Sequence, residues 1–303
     1  MKGVLVKRGI LATIFGGAEN YEEAAAFLSS VSPHLTGSSL EKSVQHYAQL
    51  GFSPIKAQYR QFLKALEETL GEPCALGCLH GMPSIAQACA ELKARGAERL
   101  LWFMSSPFAA SGFDGAFEED VLKHASMFKE VTLLPRFSSM GFWHEAWLAS
   151  IRAELGGIES AGALAQDNSH ALIFAAHSLP LGMAGADGYD LAFRSSAGWI
   201  ARRLELPWQV CFHSVPRSAD LSLWLAPGVE EAVRLASEQR SQCNTALFVP
   251  LSFLADNTEI SSGLDITAAS VCQKYGMQYK RARTFINSGS FIESFAAFAK
   301  ELA

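Results

Sequence analysis

Short apolar runs alternate along this chain with stretches whose apolar residues recur every three to four positions. The runs "GILATIF" (9–15), "PCALGCLH" (73–80), "RLLWFMS" (99–105) and "EVTLLP" (130–135) predict buried strands. Between them, helical spacing predicts helices near 20–30, 40–50, 55–70, 84–95 and 114–127. The second half repeats the scheme, with strands at "HALIFAA" (170–176), "QVCFHS" (209–214), "ALFVPLSF" (246–253) and a weaker "MQYKRAR" (277–283). Helices near 139–155, 191–204, 228–240 and 264–275 join these, and a last helix covers 290–302. Strands alternating with helices build parallel sheets from βα units. The pattern therefore predicts two similar α/β domains, 1–150 and 151–303, each a four-stranded parallel sheet flanked by helices. The segment 154–169, "ELGGIESAGALAQDNS", is the loosest, and the crossover between domains falls just before it. The last helix could pack on either half; the pattern does not decide which.

Length and composition agree with this picture and narrow the partners. At 303 residues the chain is long for one core, and 49% hydrophobic with 18% charged residues is a globular balance. A net charge of −5 without a Lys/Arg run makes nucleic acid an unexpected partner. The opening "MKGVLVKRGILATIF" is interrupted by Lys7 and Arg8, too broken for a signal peptide. No stretch reaches the ~18 apolar residues of a membrane span, so a cytoplasmic location is expected. Six cysteines are scattered without CxxC spacing, the usage of reduced, buried thiols.

Gly16 and Gly17 end the first strand, but "GGAENYEE" is not GxGxxG and puts Glu19, Glu22 and Glu23 where a phosphate would sit. The glycines read as a tight turn that admits close approach to the backbone, and Asn20 with Glu23 reads as a capping box. Chemistry in a parallel sheet gathers at the carboxyl ends of strands. His177 sits at such an end, in "ALIFAAHSLPLGMAGADGYD", and Asp256 and Glu259 follow the most apolar strand of the second half. A histidine and a carboxylate across a crevice handle a proton or a metal ion. Taken singly, each has a plainer reading: a satisfied structural histidine, and a carboxylate that begins a helix. No Gly-x-Ser-x-Gly elbow, HExxH, P-loop or paired-cysteine site occurs. The residues alone give an α/β protein with a His/carboxylate crevice.

These segments nevertheless match a known family. "FAAHSLPLGMAGADGY" resembles the ferrochelatase signature, an Ala-His-Ser/Gly-Leu/Ile-Pro turn followed by a Gly-Asp-Pro-Tyr loop, which here reads Ala186-Asp187-Gly188-Tyr189. "VPLSFLADNTEISSGLD" is similar to the second signature, Phe-x-x-Asp-His-x-Glu ending in Leu-Asp. "RGILATIFGGAENYEEAAAFL", "HYAQLGFSPI", "HGMPSI", "SSPFAASGF" and "YKRARTFINSGSFIESF" also have counterparts, so the likeness runs in order through nearly the whole chain.

The resemblance implies two Rossmann-like domains with a porphyrin cleft between them. It implies insertion of Fe(II), as substrate, into protoporphyrin IX or coproporphyrin III to make haem. His177 and Glu259 would then be the catalytic and metal-handling pair. Phe15, Phe108, Ser178, Tyr189, Phe212 and Phe253 are the expected residues of the porphyrin cleft. The sequence departs from the family at several places: Gly263 stands where another acid is usual, and Asn257 where a histidine is. Leu79 replaces a common basic residue, Phe212-His213-Ser214-Val215 a Trp-Gln-Ser-Lys/Arg segment, and Gly188 a proline. No cysteine cluster follows the last helix, so no iron–sulfur centre is expected. No transmembrane segment is expected, and peripheral membrane contact stays open. The alternative reading is a non-catalytic haem or porphyrin carrier or sensor that kept the cleft and lost the metal path.

Overall fold

The computed structural model describes residues 7–156, 169–184, 188–216, 219–239 and 243–302. Most of the loose segment after 156, and Ala186-Asp187 of the signature loop, lie outside the described residues. Eight strands form two four-stranded parallel sheets. In the first, β1 (Arg8–Gly16), β2 (Cys74–His80), β3 (Arg99–Met104) and β4 (Glu130–Leu133) lie in the order β2-β1-β3-β4. In the second, β5 (His170–His177), β6 (Trp208–His213), β7 (Thr245–Val249) and β8 (Gln278–Arg281) lie in the order β6-β5-β7-β8. The two halves thus share one topology. In each, the chain leaves its first strand toward one side and later crosses to the other, so connections diverge beside β1 and beside β5. Such a switch point opens a crevice at the carboxyl ends of the strands.

The apolar runs are strands because both faces are covered. In β5, Leu172, Phe174 and Ala176 enter one core layer with Phe193, Ala197 and Ile200 of helix Tyr189–Leu204. Ala171, Ile173 and Ala175 alternate into a second layer with Ala232, Val233 and Ala236 of helix Val229–Gln239. Ile260, Leu264, Ala268 and Cys272 of the helical stretch after β7 join that second layer. Fully burying each large side chain contributes roughly 1.5–3 kcal/mol.

The last helix, Gly289–Glu301, packs on the first half. The Phe295 ring lies 5.7 Å from Phe62 and 5.1 Å from Phe103, and Arg8 Nη1 donates to the Ala299 carbonyl at 2.7 Å. Helix Gly141–Glu154 meets helix Tyr189–Leu204 through His144 Nε2 and Ser196 Oγ, 3.2 Å apart. One apolar cluster consequently spans residues of both halves.

Three details differ from the sequence pattern. The strand expected to reach 253 ends at Val249, because Pro250 has no N–H to continue a ladder and instead accepts a turn bond from Phe253 N at 3.0 Å. The helix expected at 264–275 begins at Thr258 and widens into a π-helical stretch over 261–268. The capping box is half formed: Asn20 Oδ1 accepts from Glu23 N at 3.0 Å, but the Glu23 carboxylate takes the Glu19 N–H and the buried Lys56 ammonium. Among the described residues no helix is long and apolar enough to cross a membrane.

The close approach expected at the glycine pair is made by the chain itself. At Gly16, φ is +123°, and a Cβ there would stand 2.0 Å from the His80 carbonyl oxygen. Gly16→Ala should therefore destabilise the fold by about 3 kcal/mol or more, combining backbone strain with a steric clash. Urea unfolding checks this; a midpoint unchanged from the parent would show that β1 and β2 can separate at no cost.

Candidate active site

The period-two alternation of β5 decides where its last side chain lies. Ile173 and Ala175 face the layer that holds the helical stretch after β7, so His177 falls on that side too. Its backbone is held at both ends. The buried Tyr189 hydroxyl donates to the His177 carbonyl at 3.1 Å, and His177 N donates to Ser252 Oγ at 3.4 Å. Burial pushes the Tyr189 phenol well above its ordinary pKa, and the Glu259 charge adds to this, so it remains a protonated donor.

His177 Nδ1 lies 2.6 Å from the Ser178 carbonyl oxygen. A carbonyl has no proton to give, so Nδ1 carries the hydrogen and the neutral ring keeps its lone pair on Nε2. Glu259 Oε1 stands 3.8 Å from that Nε2. Two acceptor atoms at this separation leave a place for one proton or one cation. Both side chains are about a third open, at 35% and 41% exposure, His177 at the end of β5 and Glu259 in the first helical turn after β7.

Glu259 owes its place to Asn257. The Asn257 side-chain oxygen accepts from Glu259 N at 2.9 Å and Ile260 N at 3.0 Å, closing the first turn of the helix. The departure from the family's histidine is thus a structural cap, a role signalled by an Asn directly before Thr-Glu-Ile. The neighbouring acids are engaged elsewhere. Asp256 Oδ1 holds Arg281 and Thr284 Oγ1, both at 3.1 Å, and Asp265 Oδ1 holds Arg281 and the Tyr279 hydroxyl, both at 2.8 Å. Of the three acids after β7, Glu259 is the one that meets His177. Among the described residues no three of His, Cys, Asp and Glu converge to hold a metal ion, so the pair has two donors to offer.

The expected cleft residues divide into two groups. Phe15 and Phe253 are partly open. Phe15 stacks on Phe113 at 5.4 Å and leans on His80 at 4.7 Å, while the Phe253 ring lies 5.9 Å from that of His213. Phe108, Phe212, Ser178 and Tyr189 are instead enclosed by protein. Phe108 sits edge-on to Trp143, Tyr189 and Phe193. Phe212 points into the layer with Phe193, 5.3 Å away, because it alternates with Cys211 along β6. Ser178 spends its hydroxyl on the Leu225 carbonyl at 3.2 Å and its N–H on the His213 carbonyl at 2.8 Å. A hollow of about 780 Å³, lined by Gln58, Ser150, Asp256, Arg283, Phe285 and Ile286 among others, includes neither His177 nor Glu259.

The structure adds a second histidine. His213 ends β6 in register with His177, the two ring centres 6.2 Å apart. It is nearly enclosed, with Nδ1 2.8 Å from Ser214 Oγ. Burial, helped by the charge that His177 can carry, pushes its pKa down to about 3.

The chain and its fold match known proteins. The family model described as ferrochelatase matches residues 7–302. The chain belongs to the ferrochelatase family. As a family member it is a metal chelatase of the porphyrin class. It is 29% identical to the coproporphyrin III ferrochelatase of Propionibacterium freudenreichii subsp. freudenreichii, over 95% of this chain and 85% of the relative. A ferrochelatase of Rhodopirellula baltica is 26% identical, over 96% of this chain and 85% of that one. The fold is shared with SirB from Bacillus subtilis, solved with Fe3+: TM-score 0.57, 13% identity, 98% of this chain and 96% of that one. CbiX, described as the terminal enzyme of sirohaem biosynthesis in denitrifying bacteria, superposes with a TM-score of 0.52 at 12% identity, covering 97% and 98%.

The buried imidazole makes stability depend on pH in this ferrochelatase-family chain. His213 has a pKa of about 3 in the fold against an ordinary 6.5, so unfolding takes up a proton between those values. Its contribution is complete above pH 6.5 and is lost as pH falls toward 3, with a slope of about 1.4 kcal/mol per pH unit. The stability difference between the parent and His213→Asn should therefore shrink as pH drops from 7 to 5. Urea titrations across that range measure it, and a constant difference would contradict the depressed pKa.

Proposed function

We propose that this chain inserts Fe(II) into a porphyrin, coproporphyrin III or protoporphyrin IX, yielding a haem. The observation that carries the reading is the Nε2 lone pair of His177 facing the Glu259 carboxylate at 3.8 Å, at the switch point between β5 and β7. Family membership supplies the substrate class, and the name of one relative, coproporphyrin III ferrochelatase, supports one of the two rings.

Metal insertion releases the two N–H protons of the porphyrin as Fe(II) takes their place. In this reading His177 Nε2 accepts the first. The imidazolium then faces a carboxylate, an arrangement that holds the charge and lets Glu259 pass the proton to water. With Nε2 free again, the second proton follows the same route. The two side chains are open enough to exchange protons with solvent, while Tyr189 and Asn257 keep the backbone of each partner fixed. Fe(II) is substrate here, met by one nitrogen and one carboxylate and released into the ring. That suits a path rather than a permanent cage.

Anaerobic metallation followed by absorbance tests this, with each porphyrin and Fe(II) or Zn(II). His177→Ala should lower turnover on the order of 100-fold or more, the usual weight of a positioned acid–base group. Glu259→Gln should do the same while porphyrin binding persists. The porphyrin turned over faster names the substrate. Tight porphyrin or haem binding with no turnover in the parent would replace this reading with a carrier or sensor.

A further inference from the structure

The helical stretch that carries Glu259 meets β6 at a glycine. A Cβ at Gly263 would stand 2.9 Å from His213 Nδ1, 3.3 Å from its Cγ and 3.6 Å from its Cβ. A side chain at 263 would thus force the imidazole at 213 to shift. With glycine at 263, the His213 ring lies against the backbone of the wide π-helical turn, beside Phe253 and next to His177.

The ring is kept at a cost. His213 Nε2 is buried and has no hydrogen-bond partner among the described residues. An unsatisfied buried polar atom is destabilising, a penalty that an apolar ring would avoid. The other edge makes defined contacts: Nδ1 engages Ser214 Oγ and abuts Gly263, and the His213 carbonyl accepts the Ser178 N–H. One residue therefore touches the turn after His177 and the turn after Glu259. π-helical turns inside α-helices occur frequently at functional sites, and this one places Gly263 against the His213 ring.

We propose that His213 is a positioning residue for the His177–Glu259 pair. Its ring, filling the space that glycine leaves at 263, sets how near the Glu259 turn stands to β5. The inference rests on the reading that this pair handles the metal and its protons. It adds a residue that touches neither reacting atom but fixes their separation.

A mutant cycle tests it, using His213→Ala, Gly263→Ala, the double variant, and His213→Asn, whose amide can occupy the place of Nδ1. His213→Ala should lower kcat about tenfold while the porphyrin KM stays within about twofold, the signature of lost alignment rather than lost binding. Gly263→Ala alone should cost about as much, since its methyl group displaces the ring, yet should cost little once His213 is alanine. His213→Asn should recover most of the rate. A kcat for His213→Ala within about twofold of the parent would overturn the proposal, as would single losses that multiply in the double variant.

Visible absorption of bound Co(II), which needs no porphyrin, separates this from the proposed function. The signal should vanish in His177→Ala and Glu259→Gln and weaken about tenfold in affinity in His213→Ala. If the parent neither binds nor metallates a porphyrin, the chelatase reading fails and Co(II) affinity alone judges the positioning role. Unchanged affinity in His213→Ala, or no Co(II) binding by the parent, would then overturn it. Circular dichroism melting of each variant confirms that folded protein is compared.

Discussion

The parallel register of β5 between β6 and β7 is the constraint on which the site depends. Pairing His177 with His213 across one ladder, and Phe174 with Val249 across the other, fixes the end of β5 relative to both outgoing turns. The period-two alternation then assigns faces. The residues that fill the layer against helix Tyr189–Leu204 leave His177 on the opposite side, where the stretch after β7 packs. Shifting β5 by one residue would send His177 into the wrong layer and bring Ala176 to the mouth. The geometry of the His177–Glu259 pair is therefore a consequence of the same backbone bonds that close the sheet.

Tyr189 carries that constraint into the rest of the molecule. Its hydroxyl holds the His177 carbonyl, and its ring lies 5.9 Å from Phe108, which belongs to the first half. The last helix works in the reverse direction, returning from the second half to cover Phe62 and Phe103 beside β1 and β3. Gln58 of the first half also accepts the Asp256 N–H, three residues before Glu259. Each half thus supports elements that the other uses, and one apolar cluster runs through both.

The positions at which this chain departs from its family's motifs acquire physical roles. Asn257 caps the turn that displays Glu259. Gly263 admits the His213 ring. The change at 263 is coupled to the residue at 213, because the glycine leaves the room in which the imidazole sits. Asp256 and Asp265, acids in the same stretch, share Arg281 and tie the Glu259 turn to β8. The acidic stretch is thereby divided between one carboxylate at the crevice and two that brace it.

Apolar runs and helical spacing determined all eight strands, their parallel character and the repetition of one scheme in two halves. Local periodicity reports burial directly, and that is what a strand covered on both faces requires. The resemblance pointed to His177 and Glu259, and β5 and β7 do bring them together. Tertiary structure alone decided the rest. Which aromatic rings are open depends on what packs over them: Phe15 and Phe253 stay partly open, while Phe108 and Phe212 are buried. Which half the last helix covers depends on contacts with residues more than two hundred positions away, such as the bond from Arg8 to the Ala299 carbonyl. The meeting of His213 with Gly263 is set by strand register and a widened helical turn. Neither leaves a local mark in the sequence, because the conflict between a side chain at 263 and the His213 ring exists only once the backbone has brought the two positions together.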